Sequence, residues 1–234
     1  MDIVRVEDPG DWRYPFSQSL YEDYLVVYHG TSSAYASVIE REGFIVGRPS
    51  IPIDAIRRLI AACDTVGFKS WSYTTVQGLS RGTILSSDVD RPVYFSANFW
   101  FARDYATNSG GETVHNALLL SDQLLEFLST TRADTGDLAD DVRALCIKLR
   151  TLTADSFPVV YAVRLEREWL KNGETLRRLE VGSLVVTHAN VSCLRSVPAE
   201  RLLAKAEYVN GADPGYLGPQ PATWAEARHL GRGE

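Results

Sequence analysis

The chain has 234 residues, 45% hydrophobic and 23% charged, an ordinary balance for a globular protein able to bury a core. Its formal net charge of -6 excludes a global positive field that would draw it onto nucleic acid or an anionic membrane. The three cysteines, Cys63, Cys146 and Cys193, lie far apart, which is neither a disulfide framework nor a metal-ligand spacing.

The amino-terminal "MDIVRVEDPGDWRYPF" carries acids and a proline where a signal peptide has a basic start and an apolar run. No apolar stretch reaches the roughly 18 residues of a membrane span, so the cytoplasm is the expected compartment. Residues 1–23 read as an irregular lead-in. Leu25 to Tyr28 read as a strand, followed by the turn His29-Gly30-Thr31-Ser32-Ser33. Ser32 or Ser33 can cap a helix in which Tyr35, Val38, Ile39 and Glu42 recur at helical spacing, and Gly43 is placed to end it. Asp54 can cap a short helix, "AIRRLIAAC".

Residues 64–91 are rich in Ser, Thr, Gly and Asp, which predicts a long loop or irregular hairpin. "RPVYFSA" predicts a strand from Pro92 to Ser96, and "NFWFARDYAT" a helix. Two more helices, "ETVHNALLLSDQLLEFL" and "DLADDVRALCIKLRTL", fall within residues 112–156. "FPVVYAVRL" is a continuous apolar run and predicts a strand central in a sheet. "LRRLEVGSLVVTHANVSCLRSV" reads as two or three short strands and "PAERLLAKAEY" as a helix. The organisation expected is one α+β domain over 1–209 with a helical insertion at 112–156, then a tail at 210–234 that docks Trp224 or stays loose.

The familiar phosphate-loop, dinucleotide, zinc-protease, CxxC and serine-hydrolase motifs are absent. What the chain offers instead is polar and aromatic chemistry at strand ends. His29 follows one strand, Tyr94 lies in another, and Tyr105 falls eleven residues after Tyr94 on the following helix. Gly30 lets main-chain N–H and C=O approach a planar amide closely. Thr31 adds a hydroxyl at the expected helix start, where free N–H groups favour polar ligands.

"YHGT", then a helix ending "EGF", then "VYFS" and "ARDYA", resembles the ADP-ribosyltransferase fold, in its diphtheria-toxin and poly(ADP-ribose) polymerase branch with the H-Y-E signature. The quoted pieces are His29-Gly30-Thr31, Tyr94-Phe95-Ser96, Ala102 and Tyr105, about 45 residues in two blocks. The resemblance implies an ADP-ribosyltransferase-like fold, two packed small β-sheets around an NAD cleft with flanking helices. It implies NAD as substrate and no metal. His29 would bond the adenosine-side ribose, and the Gly30 backbone would pair with the nicotinamide carboxamide. Tyr94 and Tyr105 would hold the nicotinamide ring between them. Ala102 stands where polymerases of this family carry a serine, so a methyl replaces a hydroxyl that would bond the carboxamide.

Cleaving the nicotinamide–ribose bond passes through an oxocarbenium-like transition state that needs a carboxylate. The resemblance implies Glu180, in "RRLEVGSLVV", with Glu174 as the alternative. Glu166 and Glu168, in "LEREW", match the spacing of the arginine-initiated branch; here they read as the start of a short helix after a strand. The implied activity is mono-ADP-ribosylation of a macromolecular acceptor, protein or nucleic acid, as a toxin or effector. Such a toxin would need a neutralising antitoxin or immunity protein. Three other readings stay open: an NAD glycohydrolase, an RNA 2′-phosphotransferase, which the lack of a basic cleft set disfavours, and a non-catalytic nucleotide-binding module.

Overall fold

The computed structural model describes residues 1–7, 15–17, 20, 26–46, 53–80, 92–96, 99–107, 112–131, 136–171 and 190–210. Among them the protein is α+β, with one mixed seven-stranded sheet and six α-helices. The strands are β1 (Asp2–Val6), β2 (Val26–Ser32), β3 (Val93–Ser96), β4 (Pro158–Arg164), β5 (Leu170–Lys171), β6 (Asn190–Cys193) and β7 (Leu202–Tyr208). Their order is β1-β7-β4-β2-β3-β6-β5, antiparallel throughout except β1 against β7.

The apolar run "PVVYAV" forms β4, buried at every residue before Arg164 and flanked on both edges by β7 and β2, as its composition predicts. Strand alternation divides its side chains between two cores. Val27, Val159, Tyr161 and Val163 face α1 (Ala36–Glu42) together with Ile39, Phe44 and Phe95. Tyr28, Val160, Ala162, Ala204 and Ala206 face α4 (Phe99–Thr107), meeting Phe99, Ala102 and Ala106. The small residues on this second face allow the helix to sit close to the sheet.

The stretch read as a turn, His29 to Ser32, is instead the second half of β2, held extended by its pairing with β4 from Tyr161 to Pro158, and the chain turns at Ser33. Ser32 caps a 3-10 turn, Ser33–Tyr35, its Oγ accepting from the Ala34 N–H at 3.3 Å, and α1 continues from it. Gly43 ends α1 with φ +75°, and a Cβ there would lie 2.0 Å from the Val197 carbonyl oxygen. Only glycine meets both conditions. The predicted C-terminal glycine is therefore held by conformation and by space.

The other four helices are α2 (Ile53–Thr65), α3 (Trp71–Ser80), α5 (Glu112–Thr130) and α6 (Gly136–Thr153). Among the described residues they share a core whose buried members all come from these helices, including Ile56, Leu59, Tyr73, Val76, Leu120, Leu124, Val142 and Leu149. The insertion expected at 112–156 thus packs on α2 and α3 as one helical unit.

Three further expectations are corrected. Residues 71–80 are helical, where the Ser/Thr/Gly composition predicted loop; Ser70 accepts the Tyr73 N–H at 3.1 Å as a cap, and Tyr73 and Val76 turn inward. Residues 81–91 lie outside the described residues. "LLAKAEY" is strand β7 behind a 3-10 turn, Ala199–Arg201, although Leu, Ala, Lys and Glu favour helix. Pairing with β1 on one side and β4 on the other overrides that local preference. The lead-in holds an edge strand, β1, whose side chains stay largely exposed, so no apolar alternation announces it. Asn210, the first residue of the tail, donates its amide to the Glu7 carbonyl at 2.7 Å; Trp224 lies outside the described residues.

Candidate functional site at the join of β2 and β3

β2 and β4 pair along all of β2, from Val26 opposite Arg164 to Ser32 opposite Pro158. β2 and β3, by contrast, share one ladder position among the described residues, Tyr28 opposite Ser96. One residue on, a side chain reaches β3: the His29 Nδ1 lies 2.9 Å from the Tyr94 carbonyl oxygen. A carbonyl only accepts, so Nδ1 carries the proton and Nε2 of the neutral ring is left as an acceptor. The imidazole is walled by Phe44, at 4.5 Å between ring centroids, and Phe95, at 5.7 Å. Burial pushes its pKa below the usual histidine value, and the bond to the Tyr94 carbonyl offsets only part of that. At neutral pH His29 is an uncharged, oriented ring.

Gly30 turns to the opposite face, toward α4. A Cβ at Gly30 would lie 1.6 Å from the Ala102 carbonyl oxygen and 3.0 Å from the Ala106 nitrogen. The glycine is required by the seat of α4 on β2, whatever else its backbone meets. Ala102 is 1% exposed, its methyl part of the core beneath α4. Thr31 is buried inside β2, opposite Val159, rather than at the helix start where the sequence suggested it; Ser32 takes the capping role.

Tyr94 and Tyr105 are large aromatics left in solvent, 63% and 37% exposed. Tyr94 alternates with the buried Phe95 and so shares the α4 side of the sheet with Gly30. Tyr105 immediately precedes Ala106, the residue whose nitrogen borders Gly30. The structure therefore brings His29 to Tyr94 through the main chain, and gathers Gly30, Tyr94 and Tyr105 on one face.

Glu180 and Glu174 lie outside the described residues. Glu166 is tied down, its Oε1 2.5 Å from Arg201, and that hydrogen bond holds its carboxyl below the usual range. The Arg201 guanidinium in turn sits 4.9 Å over the Trp169 ring. Glu168 lies within the 3-10 turn Arg167–Trp169, in the short helix predicted after the strand. Among the described residues, no group of three or more His, Cys, Asp and Glu could hold a metal ion, and no helix is long and apolar enough to cross a membrane.

No protein-family model, curated protein or solved structure matches the chain.

Sequence reasoning missed Phe44 as the wall of the histidine and Tyr161, Glu40 and Lys205 behind it. The one local signal was the position of Phe44 directly after the helix-ending glycine.

Proposed function

We propose that this chain is an NAD-dependent mono-ADP-ribosyltransferase. The observation that carries the reading is the hydrogen bond from His29 Nδ1 to the Tyr94 carbonyl at 2.9 Å. It joins the first two residues of the H-Y-E pattern in space and leaves Nε2 as an acceptor for a ribose hydroxyl. Beyond Tyr28, β2 pairs with no further described residue of β3, and a strand edge parting from its neighbour offers main-chain N–H and C=O to a planar amide. On the α4 side, exposed Tyr94 and Tyr105 are rings of the kind that stack on nicotinamide.

The finer architecture belongs to the same proposal. On this reading the one sheet works as two small groups of strands, β1-β7-β4-β2 and β3-β6-β5, with the NAD cleft along the join of β2 and β3. NAD binds there, the nicotinamide–ribose bond breaks, and Glu180 supplies the carboxylate that stabilises the developing positive charge on the ribose. ADP-ribose passes to a macromolecular acceptor in the cytoplasm, as the action of a toxin or effector with a neutralising partner in its own cell.

Nicotinamide release from NAD, with and without cell lysate, tests this in the wild type and in Glu180→Gln. Release that depends on lysate and falls by about 10²–10³-fold in the variant is the expected result. Release independent of lysate makes the protein a glycohydrolase. Absence of release with NAD binding intact removes the enzymatic reading and leaves a binding module.

A further inference from the structure

The α1 side of the sheet holds a charge cluster built on a buried lysine. Lys205 is 5% exposed, and its Nζ lies 2.6 Å from Glu40 Oε1 and 2.7 Å from Glu207 Oε1. The Tyr161 hydroxyl donates to the same Glu40 oxygen at 3.0 Å, and Arg5 Nε stands 3.7 Å from Glu207 Oε2. Strand register explains the grouping: His29 is opposite Tyr161 across β2 and β4, and Tyr161 is opposite Lys205 across β4 and β7. The three side chains form one row over three strands.

Desolvating an ammonium is expensive, and an apolar residue at 205 would pack without that cost. Buried ion clusters are better explained by the arrangement they select than by the stability they add. Here the selected element is α1, which contributes only Glu40. Four residues later Phe44 is fixed to Val197 by two main-chain bonds of 2.8 Å, and its ring contacts His29. The Phe44 ring also stands edge-on to Phe95 at 5.2 Å and to Tyr161 at 6.1 Å.

We infer that Glu40, Lys205 and Tyr161 are positioning residues for His29: they seat α1 so that Phe44 presses the imidazole against the Tyr94 carbonyl. The inference rests on the reading of His29 as a residue that touches NAD, and it adds a specific device that orients it.

The test is nitrogen NMR of the imidazoles in uniformly labelled full-length protein, for wild type, Tyr161→Phe and Glu40→Gln, with thermal melting and nicotinamide-release kinetics on the same samples. The chain has four histidines, assigned by single replacement. In the wild type the His29 Nδ1 carries the proton and Nε2 does not. In folded Tyr161→Phe and Glu40→Gln the two nitrogens move toward averaged shifts. KM for NAD rises on the order of tenfold while kcat holds, because the imidazole is no longer oriented toward the ground-state substrate. Unchanged His29 resonances in Tyr161→Phe, which removes one hydroxyl and keeps the ring, overturn the inference even if Glu40→Gln fails to fold. A wild type that neither binds nor cleaves NAD removes the transferase reading alone, since the imidazole signals still report whether the network orients His29.

Discussion

The α-carbon of Gly30 faces the main-chain carbonyl of Ala102 so closely that a methyl group there would lie 1.6 Å from the oxygen. The obstacle is backbone, so no side-chain rotation relieves it. Gly30→Ala is expected to destabilise the protein by about 3 kcal/mol or more, as overpacking that moves a helix does. Trimming the partner, as in Gly30→Ala with Ala102→Gly, restores none of it. Urea unfolding measures both; a change within about 0.5 kcal/mol for Gly30→Ala means α4 does not sit on β2 as described. Loss of activity in that variant alone says nothing about nicotinamide.

His29 makes stability depend on pH. Its folded pKa lies below the ordinary histidine value because burial disfavours the imidazolium. The unfolded chain therefore takes up the proton first, and the folded state loses stability as pH falls below about 6.5. His29→Gln removes this slope. Stability measured at steps between pH 8 and pH 5 checks the sign, and a fold that strengthens on acidification through His29 contradicts the burial described.

Tyr94 separates function from folding. With 63% of its surface exposed, Tyr94→Ala is expected to cost no more than about 1 kcal/mol of stability. On the proposed reading the same change lowers nicotinamide release by about tenfold, the effect of removing one aromatic ring from a stack. Full activity in a stably folded Tyr94→Ala removes Tyr94 from the site.

The helical unit of α2, α3, α5 and α6 has its own core, so damage there should stay there. Leu124 is fully buried, and Leu124→Ala is expected to cost about 2–5 kcal/mol. Hydrogen exchange locates the loss: amides of α5 and α6 lose protection while those of β2 and β4 keep theirs. Equal loss across sheet and helices shows instead that the two cores unfold as one.

Much of the candidate site was legible locally. His29, Gly30, Tyr94 and Tyr105 stand out because polar or aromatic residues break an apolar pattern, although His29 and Gly30 lie within β2 rather than after it. The reason for Gly30 was not legible, because the carbonyl it must clear is far along the chain on α4. Lys205 was hidden for a related reason. In "LLAKAEY" every residue but the tyrosine favours helix, and only the neighbours β4 and β1 make the stretch a strand and turn the lysine inward.

The sequence by itself determined what depends on periodicity and on single-residue conformational limits. That includes the buried central strand "PVVYAV", a serine cap at Ser32 or Ser33, the left-handed stop at Gly43 and the helical character of Glu112–Thr130 and Gly136–Thr153. Tertiary structure alone decided strand order, the pairing of Tyr28 with Ser96 between β2 and β3, and the row His29–Tyr161–Lys205. These are contacts between residues more than twenty positions apart, set by packing free energy summed over the whole sheet, and no local window of sequence contains it.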